Sequence, residues 1–154
     1  MPQRTIDTPI GPVRLESSDN RLTALRIHPS PQPDIPGDEP LLDEAATQLM
    51  DYFAGRRTDF DLPLAPARSQ RGAELRDAIR GIGYGSTVSY GMLARIAQSG
   101  PRAIGQACAR NPLPIIVPCH RVVASNGLGH YSGGEGVATK QWLLAHEARE
   151  TNHG

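Results

Sequence analysis

The segment NPLPIIVPCHRVV (residues 111–123) is the most informative stretch of this chain, because an apolar run there encloses one reactive triplet. The triplet is Cys119, His120 and Arg121. A cysteine nucleophile needs a neighbouring base, and a nearby cation favours its thiolate. His120 supplies the base and Arg121 the positive charge. The alternative is that Cys119 is an inert packed side chain, which is the commoner role of a buried cysteine.

A third group for this arrangement lies on the last predicted helix, residues 138–148. Glu147 follows Leu143 by four residues, so its carboxylate lies on the apolar face of that helix. Acidic side chains are seldom buried without a partner. A hydrogen bond to the His120 imidazole would supply the partner, and Cys119, His120 and Glu147 would then form a catalytic relay.

The composition excludes several classes of protein. The chain has 154 residues, a formal net charge of zero and two cysteines, which is too few for a disulfide framework. No apolar run approaches the ~18 residues that span a bilayer, and the start lacks the apolar stretch of a signal peptide. We therefore expect a cytoplasmic protein. The five histidines are scattered and no Cys-x-x-Cys pair occurs, so we expect no metal and no cofactor.

The first half of the chain has the pattern of a small sheet followed by a helix. Residues 6–27 alternate between apolar and polar side chains around an Asp19-Asn20 turn, which predicts an antiparallel sheet. Five prolines between residues 29 and 40 predict an extended surface loop. Apolar residues at helical spacing predict a helix from Leu42 to Phe53, ended by Gly55. Residues 60–64 are expected to form an edge strand.

The second half is richer in helices. We expect helices over residues 73–82, 90–97 and 102–110, with Ser89 capping the second and Cys108 packing within the third. Two short helices joined by a tight break at residues 99–101 match a helix-turn-helix. A helical hairpin within a core would give the same pattern.

The net charge of zero conceals an uneven distribution. Residues 1–64 carry 6 basic and 11 acidic side chains. Residues 65–130 carry 8 basic and 2 acidic side chains, and residues 131–154 carry 2 basic and 3 acidic side chains. The basic excess coincides with the predicted helix-turn-helix, which favours a phosphate-binding face. The alternative is a chance division of solvated arginines.

These motifs together resemble one family. Residues 111–123 resemble the active-site signature of the 6-O-alkylguanine-DNA alkyltransferases, also called methylated-DNA–protein-cysteine methyltransferases. The similarity continues through the segments TVSYG (87–91), RAIG (102–105), YSGG (131–134), KQWLLAHE (140–147), TPIG (8–11) and QLMDYFAG (48–55). It covers nearly the whole chain, and the thirteen-residue signature is specific.

The resemblance implies an α+β fold in two domains. Residues 1–66 would form a small N-terminal ribonuclease-H-like domain of a sheet and a helix. Residues 67–154 would form a mainly helical domain that holds the helix-turn-helix and the alkyl acceptor. The chain departs from the family pattern on the helix before Gly83 and at that glycine, and the departing positions are Arg71, Gly72, Leu75, Arg76 and Gly83.

The activity implied is the transfer of one alkyl group from the 6-oxygen of guanine to the protein's own cysteine. Carried over by position, Cys119 is the acceptor, His120 deprotonates it through a water, and Glu147 holds the imidazole. Asn111 would tie the helix-turn-helix to the active-site segment. Tyr90 would donate to the departing guanine and crowd the phosphate as the nucleotide rotates. Because the thioether formed is a poor leaving group, we expect a single turnover.

The partner implied is double-stranded DNA that contains 6-O-alkylguanine, bound by a monomer. The 6-oxygen lies inside the duplex, so the nucleotide must be flipped out at a cost of roughly a few kcal/mol. Arg102 would fill the gap in the stack, while small Ala103 and Gly105 let the helix approach the groove. Ser125 matches a further position that contacts DNA. Tyr131 and the Ser132 backbone would line the guanine pocket, and Lys140 would lie close by.

The sequence is also compatible with three other functions. A non-catalytic, damage-sensing DNA-binding protein of the same fold would lack the acceptor cysteine. The presence of Cys119 therefore argues against this function. A cysteine hydrolase would have no need of the basic helix-turn-helix. A one-component regulator would use the helix-turn-helix alone, and its function would survive the loss of Cys119.

Overall fold

The computed structural model describes residues 2–29, 40–129, 131, 134 and 136–152, and no helix within these ranges is long and apolar enough to cross a membrane. Most of the predicted proline-rich loop, and Ser132 of the expected pocket, lie outside the described residues. The chain divides into two compact units, residues 1–65 and residues 66–154.

The first unit contains a three-stranded antiparallel sheet in the order β1-β2-β3. Its strands are β1 (Gln3–Thr8), β2 (Gly11–Ser18) and β3 (Arg21–Ile27). Asp19 and Asn20 join the last two strands with φ of 53° and 58°, as a two-residue hairpin turn with the twist of the sheet requires. The predicted sheet and its turn are therefore confirmed, and β1 begins three residues before the sheet that we predicted.

One helix covers this sheet. Helix α1 (Pro40–Phe53) contacts all three strands and buries Ala45, Leu49 and Tyr52 completely or almost so. Gly55, with φ of 78°, ends it by donating its N–H to the Tyr52 carbonyl. The helix and its glycine stop signal are as predicted, although the helix begins two residues earlier than expected.

The prediction of an edge strand at residues 60–64 is wrong for most of that range. Only Leu64 forms a bridge, which is parallel to Leu22 of β3. Hydrogen bonds join Leu22 N–H to the Pro63 carbonyl and Ala65 N–H to the Leu22 carbonyl. Pro63 has no N–H to donate, and this limits the pairing to one point.

The second unit is mainly helical. Its elements are α2 (Gln70–Arg80), β4 (Val88–Ser89), α3 (Tyr90–Ile96), α4 (Pro101–Ala109), a 3-10 turn (Cys119–Arg121), β5 (Val122–Val123) and α5 (Val137–Asn152). The four predicted helices are all present. The α+β organisation, with a sheet and helix first and a mainly helical unit second, is confirmed.

Helices α3 and α4 form the helix-turn-helix. Ser89 caps α3 by accepting a hydrogen bond from Met92 N–H, 3.0 Å from its hydroxyl oxygen. Pro101 occupies the first turn of α4, where its missing N–H costs nothing. The two helices contact each other and bury Leu93 and Ile104 almost completely.

A short parallel sheet, absent from our prediction, joins the start of α3 to the end of segment 111–123. In this sheet Val88 pairs with Val122 and Ser89 with Val123. Tyr90, the first residue of α3, therefore follows directly on a strand that is hydrogen-bonded to the residues just after the 3-10 turn. Two such short strands carry too little alternation to be detected in sequence.

Candidate active site

Cys119 opens the 3-10 turn, and its side chain is 5% exposed. The Asn111 side-chain amide donates to Cys119 Sγ over 3.2 Å and to the Val117 carbonyl over 2.9 Å. The Asn111 side-chain oxygen in turn accepts from Leu113 N–H at 3.0 Å. One asparagine, the second residue after α4, therefore holds the apolar segment and contacts the candidate nucleophile.

The segment that leads to Cys119 is strained at one residue. Ile115 has φ of 75°, a left-handed conformation that a β-branched side chain rarely adopts. It is nonetheless 1% exposed, between Leu113 and Val117, which are themselves fully or almost fully buried. Burial of these side chains, together with the Val117 N–H to Leu113 carbonyl hydrogen bond of 2.8 Å, outweighs a strain of about 1–3 kcal/mol.

The Cys119 thiol is protonated at neutral pH. Burial raises the pKa of the thiol, against the Asn111 hydrogen bond and the Lys140 charge, which both lower it. The resting residue is therefore a thiol, and it needs a base at the moment of reaction.

Glu147 of α5 is the centre of a buried network of hydrogen bonds. Its Oε2 lies 2.7 Å from His120 Nε2, and both side chains are almost completely buried. Arg121 reaches the same carboxylate with two donors, Nε to Oε1 at 2.9 Å and Nη2 to Oε2 at 3.0 Å. Gly85 N–H donates to Oε1 over 3.3 Å. A carboxylate that accepts this many hydrogen bonds is held in one orientation.

These contacts determine the protonation state of the imidazole. Burial alone would raise the pKa of the Glu147 carboxyl, but the hydrogen bonds from His120 and Arg121 outweigh it and lower the pKa to about 2. Burial lowers the pKa of His120, against the hydrogen bond and charge of Glu147. At neutral pH the carboxylate is therefore ionised and the imidazole neutral. Because the carboxylate can only accept, the ring proton lies on Nε2 and Nδ1 carries a lone pair.

The Nδ1 atom of His120 is buried and has no hydrogen-bond partner among the described residues. A neutral imidazole with its Nε2–H on a carboxylate and a free Nδ1 has the form of a general base. The adjacent residue in the chain is Cys119.

Arg121 is used differently from our expectation that its charge favours the thiolate. Two of its nitrogens bind Glu147, and the third, Nη1, donates to the Ile82 carbonyl over 2.7 Å. Its guanidinium also lies 5.6 Å from the centre of the Tyr84 ring. The charge of Arg121 therefore balances a buried carboxylate and anchors the loop after α2. Nothing in the sequence singled out Ile82 or Gly85 for this site.

Lys140 is fully buried at the other side of the segment. Its Nζ donates to the Val122 carbonyl over 2.7 Å and lies 5.8 Å from the centre of the Tyr90 ring. Burial lowers the pKa of Lys140, and a thiolate on Cys108 or Cys119 would raise it. The structure thus brings the ammonium group of Lys140 within electrostatic reach of the Cys119 thiol.

Two further residues complete the surroundings of Tyr90 and the thiol. A Cβ built on Gly129, which has φ of 77°, would lie 3.0 Å from Tyr90 Cε2 and 3.1 Å from its hydroxyl oxygen. A side chain there would be strained by the left-handed backbone and would crowd the Tyr90 ring, so this position favours glycine. No pattern in the sequence pointed to Gly129. The Tyr131 hydroxyl is buried, and burial together with the charges of Cys119 and Glu147 raises the pKa of that hydroxyl well above its usual value.

The residues expected to contact DNA lie on exposed parts of the second unit. Arg102 is exposed in the first turn of α4, and Ala103 and Gly105 are partly exposed. A Cβ built on Gly105 would meet nothing within 4 Å, so no internal contact requires glycine at this helical position. Ser125 is exposed in the turn after β5. Their contacts with DNA stay predictions.

No group of three or more His, Cys, Asp or Glu side chains that could hold a metal ion occurs within the described ranges.

Cys108, the second cysteine, is partly buried in α4, and burial with the charge of Cys119 raises the pKa of its thiol to about 12. Lys140 opposes this shift.

Comparison with known proteins agrees with this geometry. Residues 72–149 match the family model described as the DNA binding domain of 6-O-methylguanine DNA methyltransferase. Residues 1–66 match the model of its ribonuclease-like domain. An OGT from Mycobacterium tuberculosis, solved in complex with DNA, superposes with a TM-score of 0.83 at 37% identity, covering 96% of this chain and 93% of that one.

Two curated relatives carry different names. A methylated-DNA–protein-cysteine methyltransferase of Mycolicibacterium paratuberculosis is 40% identical over 155 residues, covering 96% of this chain and 93% of the relative. A DNA base-flipping protein of Thermus thermophilus is 41% identical over 150 residues, covering 92% of this chain and 97% of the relative. With both domain models matched over most of its length, the chain belongs to the 6-O-methylguanine DNA methyltransferase family.

Proposed function

We propose that this protein repairs DNA by transferring the alkyl group of 6-O-alkylguanine to Cys119 in a single turnover. One observation carries the proposal. In a member of this family, a buried thiol directly precedes a neutral imidazole whose Nε2 is held by an ionised carboxylate. This is the arrangement of groups that a buried cysteine nucleophile needs.

The reaction is a displacement at the alkyl carbon. The thiol proton moves through a water to His120 Nδ1, and Glu147 stabilises the imidazolium that results. The Cys119 Sγ–carbon bond then forms while the bond from that carbon to the guanine 6-oxygen breaks. Tyr90 donates a hydrogen bond to the departing guanine and so limits the negative charge on it. The proton that His120 took from the thiol is released to solvent, and the departing guanine takes up one proton on its ring nitrogen, so the charges balance. The Asn111 hydrogen bond and the Lys140 ammonium group stabilise the developing thiolate.

The product is a thioether on the protein and an unmodified guanine in the DNA. Sulfur attacks alkyl carbon readily, but a thioether is a poor leaving group and none of the described residues offers a route to displace it. Each molecule therefore repairs one lesion, and the measurable yield is one alkyl group per protein.

Binding to duplex DNA uses the exposed face of the helix-turn-helix. Small Ala103 and Gly105 let α4 approach the groove, and Arg102 enters the space left by the extruded nucleotide. Tyr90 crowds the phosphate of that nucleotide, and Ser125 contacts the DNA. Tyr131 and Lys140 line the guanine pocket, as does the Ser132 backbone, which lies outside the described residues.

We further infer that the protein acts as a monomer in the cytoplasm. The free thiols of Cys119 and Cys108 suit a reducing compartment. The basic excess on residues 65–130 is modest, which favours salt-sensitive binding of moderate affinity, as a protein that scans DNA for a rare lesion requires.

A second candidate is a non-catalytic protein that binds and flips damaged bases. The name of the relative from Thermus thermophilus, a DNA base-flipping protein, supports this candidate. Both candidates share the helix-turn-helix, so DNA binding does not separate them. The buried Cys119 thiol and the Asn111 amide that contacts it favour alkyl transfer.

The test is an intact-mass measurement after incubation with a duplex that contains 6-O-methylguanine. We expect a gain of one methyl group per protein, located on the peptide that contains Cys119. Cys119→Ser should gain none and Cys108→Ser should gain one. Binding without a mass gain would favour the base-flipping candidate, and continued turnover of an ester substrate would favour a hydrolase.

A further inference from the structure

Arg71, the second residue of α2, binds the turn of the helix-turn-helix. Its Nη2 lies 2.8 Å from the carbonyl oxygen of Ala97 and 2.8 Å from that of Gln98, where α3 ends. Its Nη1 lies 3.6 Å from Glu74 Oε2, one helical turn further along α2. The guanidinium is therefore held between its own helix and the turn that joins α3 to α4.

The turn that Arg71 binds has an unusual backbone. Gln98 has φ of 54°, a left-handed conformation that normally favours glycine. Ser99 N–H donates to the Ala94 carbonyl over 2.7 Å and Gln98 N–H to the Arg95 carbonyl over 3.2 Å. This is the Schellman pattern of a helix C-terminus. Because α3 ends at Ile96, the carbonyls of Ala97 and Gln98 lie beyond the helix and accept from Arg71. The positive charge of Arg71 also interacts favourably with the negative, C-terminal end of the α3 dipole.

The conformation of this turn decides where α4 begins. Gly100 is the N-cap of α4, Pro101 starts its first turn and Arg102 follows. Only two residues therefore separate Gln98 from the start of the helix that carries Arg102. A rotation of the turn at Gln98 would change the direction in which Arg102 projects.

We propose that Arg71 is a positioning residue for duplex DNA. By holding the left-handed turn at Gln98, it sets the start of α4 and the direction in which Arg102 projects. This inference rests on the proposed function, in which Arg102 occupies the space of the flipped nucleotide. It assigns a role to one of the positions at which the chain departs from the family pattern, on the helix before Gly83.

Arg71→Ala tests the proposal by comparing two alkyl donors under single-turnover conditions. With 6-O-methylguanine in a duplex, we expect transfer to slow by about three- to tenfold, as the loss of partly exposed, charge-assisted hydrogen bonds implies. With free 6-O-benzylguanine, which needs no DNA contact, we expect an unchanged rate. That unchanged rate also shows that the variant is folded.

The matched control is Arg80→Ala, which removes the same charge from the C-terminal end of α2. We expect it to slow duplex repair less than Arg71→Ala does. Equal losses in the two variants would overturn the proposal, because charge alone would then explain the effect. Equal losses with the duplex and with the free base in Arg71→Ala would overturn it too, since Arg71 would then act on the fold as a whole.

Salt dependence separates positioning from direct phosphate contact. Affinity for an undamaged duplex should fall in Arg71→Ala, with the slope of log affinity against log salt unchanged. A slope smaller by about 0.9, restored by Arg71→Lys, would identify Arg71 as a phosphate contact and overturn the proposal. This measurement needs no alkyl transfer. If the wild-type protein took up no methyl group, the proposed function would fail while the role of Arg71 in DNA binding could still be decided.

Discussion

Arg121 and Glu147 form a buried ion pair through two parallel hydrogen bonds, Nε to Oε1 at 2.9 Å and Nη2 to Oε2 at 3.0 Å. Their side chains are 7% and 1% exposed. The same carboxylate holds His120 at 2.7 Å, so the cation that binds Glu147 also governs the state of the candidate base. A charge placed for structure therefore contributes to the chemistry.

Arg121→Ala should destabilise the second unit by about 3–5 kcal/mol, because it leaves a buried carboxylate without its cation. The measurement is urea unfolding followed by the fluorescence of Trp142, the single tryptophan of the chain, which lies on α5. The control is Glu74→Gln, which breaks the exposed 3.6 Å pair with Arg71 and should cost less than about 1 kcal/mol. Equal losses of unfolding free energy in the two variants would contradict the role of Arg121 as the partner of a buried carboxylate.

Acid should unfold the second unit through the His120–Glu147 pair. Burial lowers the pKa of His120, so the unfolded chain binds the proton more readily and stability begins to fall below pH ~6.5. The Glu147 pKa is also lowered, to about 2, so its contribution is present above the unfolded pKa of ~4.3 and is lost as the pH falls toward 2. Both groups therefore act in the same direction.

Unfolding free energies measured by urea titration between pH 7 and pH 3 check this expectation. The Glu147 contribution corresponds to about 3 kcal/mol in full. Glu147→Gln should be less stable at pH 7 and should lose less stability between pH 5 and pH 3 than the wild type does. Parallel curves for the two proteins would show that Glu147 does not carry the acid sensitivity.

Asn111→Ala should raise the pKa of the Cys119 thiol further, because it removes the hydrogen bond that opposes burial. We expect alkyl transfer to slow by about ten- to a hundredfold, in line with a hydrogen bond to a charged group. The thiol pKa is read from the pH dependence of iodoacetamide labelling, followed on the Cys119 peptide. Asn111→Asp, which cannot donate to Sγ and adds a negative charge, should slow transfer more. An unchanged labelling profile in Asn111→Ala would rule out this role of the amide.

Gly105→Ala should stabilise the protein while weakening its DNA binding. A methyl group there meets nothing within 4 Å, and alanine is favoured over glycine inside a helix by about 0.5–1 kcal/mol. The same methyl would stand between α4 and the DNA groove. We expect a higher melting temperature, lower affinity for a duplex, and unchanged transfer from free 6-O-benzylguanine. Unaltered duplex affinity would mean that this face of α4 does not approach DNA.

Much of the fold is accessible from local patterns in the sequence. Helix α1 follows from apolar spacing and Gly55, and α3 from its Ser89 cap, because both signals act within a few residues. The prediction failed at residues 60–64, where an alternating pattern forms only one bridge. Pairing of short strands such as β4 and β5 depends on residues far apart in the chain, which local patterns do not encode.

The candidate site divides in the same way. Residue types and their spacing identify the reactive triplet, the apolar face that carries Glu147 and the basic character of residues 65–130. The folded chain alone shows that Arg121 binds Glu147 rather than favouring the thiolate, that Ile115 is strained and that Arg71 binds the turn at Gln98. Residue types and helical spacing are local properties of the chain. The partner of a buried charge or of a free carbonyl depends on which distant segments the fold brings within ~3 Å.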